Sequence, residues 1–303
     1  MRLGRSQRMA VWDVISRYRS AAAVDGAVDF GEACAIAAEL CDAAERRPAD
    51  HVLVDEGQDL TPARWQLLRS VVDEGPDDLF IAEDSQQRIY GQHVVLGQLG
   101  IKIVGRSRRL TLNYRTTQQV LGFATHVLEG SEFHDLDDEE TDNTGYRSAR
   151  RGPVPERIPC SSLTDELDQA ESVVRGWLDA GVEAPTIGIL VRDQRTADQV
   201  SRGLDDRGVA VRLVSRGAAV AKDPQVMTMH RAKGMEFSRV LIFGADKDLV
   251  PASYLLKGLA EEDREDLLQR ERSLFYVAAT RARDELVVMW SGSGSAFLDI
   301  ESA

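Results

Sequence analysis

His51-Val52-Leu53-Val54-Asp55-Glu56-Gly57-Gln58-Asp59 is the stretch whose reading decides the fold. A short apolar run rich in β-branched Val ends in two adjacent carboxylates. Such a run reads as a buried strand of a parallel sheet, and α/β proteins build ligand sites at the carboxyl ends of those strands. One carboxylate there can hold Mg²⁺, a hard cation that takes oxygen ligands, while its neighbour orients or deprotonates a water. An exposed acidic turn closing an ordinary strand satisfies the same pattern, so other stretches must decide.

Upstream, residues 8–47 read as helical. Val11, Trp12, Val14, Ile15 and Tyr18 recur at helix spacing, Phe30 to Arg47 is rich in Ala, Glu and Leu, and Gly26 and Asp29 mark a break. Downstream, Thr61-Pro62 is a helix start with Pro at the first helical position. Leu79-Phe80-Ile81-Ala82 is a second apolar run ending in carboxylates, Glu83 and Asp84. Leu110 to Tyr114 reads as a third strand and Gln118 to Leu128 as a helix.

Between Glu132 and Asp142 lie seven acidic residues, followed by Arg147, Arg150, Arg151 and two prolines. That composition reads as a solvated linker. Beyond it, helical patterns alternate with apolar runs at Thr186–Val191, Val209–Val214, Val226–Met229, Val240–Phe243 and Leu286–Trp290. A polar helical stretch, Arg272 to Arg283, precedes the last. Strands separated by helices predict a largely parallel, doubly wound α/β sheet.

Composition narrows the function. The 303 residues are 43% hydrophobic and 29% charged, ordinary values for a globular chain. No apolar run approaches the roughly 20 residues that span a bilayer, so no membrane association is expected. Three cysteines without CxxC spacing, and five scattered histidines, argue against a disulfide framework or zinc site. The reducing cytoplasm is the natural compartment. A net charge of −13 argues against coating nucleic acid by bulk charge. A local basic groove remains compatible with it. Lys102, Arg106, Arg108 and Arg109 form the clearest basic cluster, a candidate contact for DNA phosphates or simply a solvated loop.

Four further stretches carry chemistry. Glu83-Asp84-Ser85-Gln86-Gln87-Arg88-Ile89-Tyr90-Gly91 is an acidic, amide-rich turn able to sense a phosphate. Leu112-Asn113-Tyr114-Arg115-Thr116 sets an aromatic platform beside a guanidinium, which can fork onto phosphate oxygens. Thr228-Met229-His230-Arg231-Ala232-Lys233-Gly234-Met235-Glu236-Phe237 offers amides, hydroxyl, imidazole and ammonium groups for phosphates, and a carboxylate for a ribose hydroxyl. Leu274 to Arg283 reads as a helix with Arg281 near its end, where an arginine can stabilise charge on a transferred phosphoryl group.

Together and in this order, these motifs resemble those of superfamily one DNA helicases of the UvrD/Rep type, over most of the chain from about His51 to Trp290. The resemblance implies RecA-like (P-loop NTPase type) parallel sheets flanked by helices. It implies ATP and Mg²⁺ as cofactors, and single-stranded or duplex DNA as partner. It makes Asp55 the Mg²⁺ carboxylate and Glu56 the base that activates water. Gln58 closes that motif, and Gln87 is the γ-phosphate sensor. Tyr114 would stack on adenine, Arg115 and Arg281 would approach the γ-phosphate, and Glu236 would bind ribose. Lys233 and Gly234 belong to the nucleotide contacts. Thr228, His230 and Tyr90 would lie on the path of DNA.

The sequence departs from the family pattern at several points. No G-x-x-x-x-G-K-[ST] loop is present, and nowhere is Gly followed by Lys. The chain is therefore expected to be the C-terminal motor portion of a helicase, with one partial and one complete motor domain. A missing N-terminal segment, from the same gene or a separate chain, would be its partner. The expected division is a helical remnant over 1–50, the second half of a first RecA-like domain over 51–135, a linker over 136–155 and a second RecA-like domain over 156–303. The short Val214–Val226 interval leaves no room for a large accessory insertion. Gly57 stands where the family usually has an aromatic, and Gln92 where a DNA-stacking Trp is common. ATP would sit in the interdomain cleft, and this chain alone is expected to show negligible ATPase. The alternative is a non-catalytic DNA- or protein-binding module derived from such a motor.

Overall fold

The structure is a computed structural model that describes residues 4–91, 93–141, 145–214 and 222–298. In chain order the elements begin with α1 (Arg5–Val24), α2 (Phe30–Ala43), β1 (Val52–Val54), α3 (Pro62–Ser70) and β2 (Leu79–Ile81). There follow β3 (Leu112–Thr117), α4 (Gln118–Val127), β4 (Phe133–His134), β5 (Glu140–Thr141), β6 (Arg147–Arg150) and β7 (Glu156–Cys160). The chain continues with α5 (Leu163–Asp179), β8 (Ile187–Val191), α6 (Gln194–Asp205), β9 (Arg212–Leu213) and β10 (Gln225–Thr228). It ends with β11 (Phe237–Ile242), α7 (Glu261–Thr280) and β12 (Ala282–Ser291). Among the described residues no helix is long and apolar enough to cross a membrane.

The chain forms two compact units, Met1–Ser107 with Phe133–Thr141, and Arg108–Glu132 with Asp142–Ala303. These boundaries differ from the sequence-based division at 135 and 155. Residues 108–132, grouped there with the first motor domain, belong to the second unit. The acidic stretch is not a plain linker, because β4 and β5 pair antiparallel within the first unit. The basic cluster divides too: Lys102 and Arg106 fall in the first unit, Arg108 and Arg109 in the second.

In the first unit, β1 and β2 run parallel with Val52 opposite Leu79 and Val54 opposite Ile81. Period-two alternation turns Val54 into a small core with Trp65, Leu96, Ile101 and Leu136, while the Leu53–Phe80 pair on the other face stays exposed. Thr61 caps α3, whose first residue is Pro62 as the sequence predicts.

The second unit is built on a parallel six-stranded sheet of order β7-β12-β11-β8-β10-β9. Each of the five predicted runs contributes one strand. The sixth, β7, was not expected, since Glu156, Arg157 and Pro159 interrupt its apolar pattern. It lies at the sheet edge, where a missing amide donor and polar side chains are tolerated. Ile187, Ile189, Val191, Leu241, Val287 and Met289 face α5 and α6 in one continuous core. The alternate residues Val240, Ile242 and Val288 are equally buried on the opposite face, and α7 contacts the strands that carry them. Helix α7 begins at Glu261, well before the predicted Arg272, because its first turns are polar and show no apolar period. Parallel sheets flanked by helices make this an α/β architecture of the RecA-like type.

Candidate functional site

In the first unit, the carboxyl ends of β1 and β2 lie side by side, as parallel pairing requires. Asp55 Oδ1 accepts the Glu56 amide at 2.9 Å. Its other oxygen makes no hydrogen bond or ion pair among the described residues, and the side chain is exposed. A lone strand-end carboxylate suits Mg²⁺, which keeps several waters and takes one or two protein oxygens beside substrate phosphates. Glu56 adopts a left-handed backbone, φ 54°, that turns the chain sharply out of the strand.

Gln58 follows in a short 3-10 turn and is buried. A buried amide must find partners. Its Nε2 donates to Glu56 Oε2 at 2.6 Å, and its Oε1 accepts the Asp84 amide at 3.0 Å. Asp84 in turn caps the turn after β2 by accepting the Gln86 amide at 3.0 Å, and its other oxygen accepts Gln87 Nε2 at 2.7 Å. Glu56, Gln58, Asp84 and Gln87 thus form one hydrogen-bonded chain across two strand ends. Tyr90, half-exposed, has its phenol pKa raised by partial burial and by the Asp59 carboxylate.

Gly57 is buried between Trp65 and Ile81. A Cβ there would meet the Trp65 ring and Ile81 Cγ2 at 3.2 Å each. The space beside Gly57 is therefore filled by the ring of Trp65, a fully buried side chain. Gln92 lies outside the described residues.

In the second unit, Asn113 lies near the start of β3 and shapes the strand after it. Its Oδ1 accepts the amides of Arg115 at 2.7 Å and Thr116 at 3.1 Å, and the β3–β6 register shifts at this point. A side chain that takes strand amides interrupts the ladder and re-aims its neighbours. Tyr114 is left 72% exposed, which makes its ring available for stacking. Arg115 Nη2 lies 2.6 Å from Glu236 Oε1.

Glu236 is set by the turn that follows β10. Thr228 closes the strand and accepts the Arg231 amide through both its carbonyl and its hydroxyl. Gly234 takes a left-handed φ of 77°, which swings the chain into β11 directly after Glu236. Lys233 and Gly234 are part of this turn. His230 is partly buried in it, and burial followed by the Arg192 cation lowers its pKa against an opposing pull from Glu271.

Arg281 caps α7 and is buried. Its Nε donates to Val277 O at 3.0 Å and its Nη1 to Met235 O at 3.3 Å, while its own carbonyl accepts the Phe237 amide at 3.0 Å. The second unit therefore gathers Tyr114, Arg115, Glu236 and Arg281. The first gathers Asp55, Glu56, Gln58 and Gln87. Thr228 and His230 lie at the opposite end of the β10–β11 turn from Glu236.

Sequence reasoning missed the buried pair of Arg192 and Glu271. Arg192 Nε and Nη2 donate to the two carboxylate oxygens at 2.9 and 2.5 Å, and Glu271 Oε2 also accepts the Ala252 amide at 3.1 Å. Arg192 immediately follows β8, but no local signal marks Glu271 as its partner in a helix rich in charge.

Comparison with known proteins relates the chain to DNA helicases. A model described as the UvrD/REP helicase N-terminal domain matches residues 2–93, and one described as the UvrD-like helicase C-terminal domain matches residues 218–293. A probable DNA helicase of Mycoplasma pneumoniae is 27% identical over 246 residues, covering 79% of this chain and 43% of that protein. The ATP-dependent DNA helicase PcrA of Staphylococcus aureus is 27% identical over 203 residues, covering 64% of this chain and 25% of that protein. The chain thus spans less than half the length of these relatives. The crystal structure of the C-terminal domain of a possible DNA helicase from Lactobacillus plantarum matches with a TM-score of 0.46 and 23% identity, covering 62% of this chain and 92% of that one.

Proposed function

We propose, from the premise that this chain belongs to the UvrD/Rep-type superfamily one helicases, that it is the motor part of an ATP-dependent DNA helicase or translocase. The observation that carries this reading is the Gln58 bridge between Glu56 and the Asp84–Gln87 turn. A base that activates water gains from a fixed orientation. An amide wired to that base can report whether a phosphate is present. An acidic strand end without such a task has no need of a buried amide linking it to a second loop.

Asp55 would hold Mg²⁺, which when bound would neutralise charge on the phosphates. Glu56 orients the attacking water, and Gln87 contacts the γ-phosphate. Tyr114 stacks on the base, and Glu236 accepts from a ribose hydroxyl. Arg115 and Arg281 stabilise charge developing on the transferred group. Thr228, His230 and Tyr90 contact DNA. The sequence has no phosphate-binding loop of the G-x-x-x-x-G-K-[ST] kind. The chain by itself is accordingly expected to hydrolyse ATP negligibly.

The test is steady-state and single-turnover ATPase with Mg²⁺ and single-stranded DNA, on this chain and on the chain joined to a segment bearing such a loop. Hydrolysis by the joined protein alone, abolished by Glu56→Gln and by Arg281→Ala, supports the motor. Sustained hydrolysis by the unjoined chain overturns its expected inactivity. DNA binding without hydrolysis in either form, unaffected by the two substitutions, supports a binding module instead.

A further inference from the structure

The segment from Arg147 to Gly152 carries none of the motifs, and its composition alone marks it as a linker. In the second unit it runs as β6 alongside β3 and is anchored at several points. Ser148 Oγ donates to Thr116 O at 2.5 Å, the Ser148 amide donates to Gln118 Oε1 at 2.7 Å, and the Gly152 amide donates to Gln119 Oε1 at 2.9 Å. Gly152 passes so close to its neighbours that a Cβ would lie 2.6 Å from Thr117 Cγ2 and 3.0 Å from Asp284 O. A side chain there would force Thr117 or the strand carrying it to shift.

Within this segment the Arg150 guanidinium joins three acceptors. Nη1 donates to the backbone carbonyl of Arg115 at 2.7 Å and to that of Arg283 at 3.2 Å, and Nη2 donates to Asp284 Oδ1 at 2.5 Å. Arg283 and Asp284 lie just beyond Arg281 on β12. The other links close a ring. Arg115 pairs with Glu236, and the residues on either side of Glu236, Met235 and Phe237, bond to the side chain and carbonyl of Arg281. Asp284 stays ionised at the hub of this ring. Burial alone would raise its pKa, but hydrogen bonds from Arg283 and Arg150 outweigh that and hold it below the ordinary carboxylate value.

We propose that Arg150 is a positioning residue that fixes the spacing between Arg115 and Arg281, by clamping the backbone of β3 at Arg115 to the start of β12. This rests on the reading of both arginines as phosphate-binding groups. A planar fork can hold two carbonyls and a carboxylate at once. An ammonium group at this position keeps the charge but cannot span the same acceptors.

The experiment compares the full chain with Arg150→Ala, Arg150→Lys and Arg115→Ala variants. Three readouts are used: thermal melting, the side-chain Nε–Hε resonances of Arg115 and Arg281, and binding of a fluorescent ATP analogue with Mg²⁺. Both Arg150 variants are expected to shift the two arginine resonances without nucleotide and to weaken binding roughly tenfold, the scale of a lost charged hydrogen bond. Failure of Arg150→Lys to restore either readout is the mark of the fork. Resonances that stay in place in both variants overturn the proposal, as does full rescue by Lys. If Arg150→Ala fails to fold, Arg150→Lys decides. Absent nucleotide binding by the wild type even when joined to a segment bearing the missing loop, or binding that Arg115→Ala leaves unchanged, sinks the nucleotide reading alone. The resonances still decide whether Arg150 positions the arginines.

Discussion

The Arg115 guanidinium and the Glu236 carboxylate form an ion pair at 2.6 Å, although each is about half exposed, 49% and 48%. Both were expected to engage a nucleotide, Arg115 through phosphate and Glu236 through ribose. In this structure they satisfy one another. In the proposed roles, nucleotide binding would exchange this contact for two new ones.

Exposed pairs contribute little to stability. A double-mutant cycle with Arg115→Ala and Glu236→Gln is expected to give a coupling below about 1 kcal/mol in urea unfolding. Nucleotide-analogue binding should fall in both single variants. A coupling of several kcal/mol would show that the pair is a structural clamp.

Arg192 and Glu271 behave differently because both are buried, at 6% and 5% exposure. Glu271→Ala leaves a guanidinium without its counter-charge and the Ala252 amide without its acceptor. Breaking one side of such a pair costs about 3–5 kcal/mol. Chemical denaturation of the full chain reads this loss, and a change below 1 kcal/mol would contradict the assigned burial.

Glu166, on α5, accepts the Gly244 amide at 2.7 Å, and burial raises its pKa from 4.5 to about 6. Between those values the folded chain holds more protons than the unfolded one, so stability falls as pH rises through that window. The shift corresponds to about 2 kcal/mol. Glu166→Gln should remove this slope. His230 tilts the profile the other way, since its lowered pKa lets the unfolded chain take up a proton first as pH falls through 6.5. The difference between wild-type and Glu166→Gln curves isolates the carboxyl contribution, and identical pH slopes would refute it.

Gly188 lies in a central strand beneath the ring of Phe237, and a Cβ there would come within 2.7 Å of the ring. Gly188→Ala is therefore expected to destabilise the chain by about 1–3 kcal/mol through overpacking. It should also disturb Glu236, whose neighbour is displaced. Truncation of the ring by Phe237→Leu in the same background should recover part of the stability. No recovery would place the strain elsewhere.

Much of the candidate site was legible because its residues fall in short contiguous motifs. Asp55, Glu56 and Gln58 sit on one strand end, and Thr228 to Glu236 on one turn. The five apolar runs became strands because a parallel strand covered on both faces must be apolar throughout. β7 escaped notice because an edge strand need not be. The start of α7 escaped because charged turns show no period until the helix meets the sheet.

The sequence by itself determined the α/β class, five of the six strands of the large sheet and the residues of each motif. These rest on local composition and spacing, which a reader of the chain can see. Only the tertiary structure decided that residues 108–132 join the second unit, that Arg115 pairs with Glu236, and that Trp65 fills the space beside Gly57. Only it could show Arg150 bonded to Asp284, 134 residues away, or Arg192 to Glu271, 79 residues away. An arginine reads the same in sequence whether it is solvated or clamped. Its role is set by which acceptors the folded sheet brings to it, and those lie far along the chain.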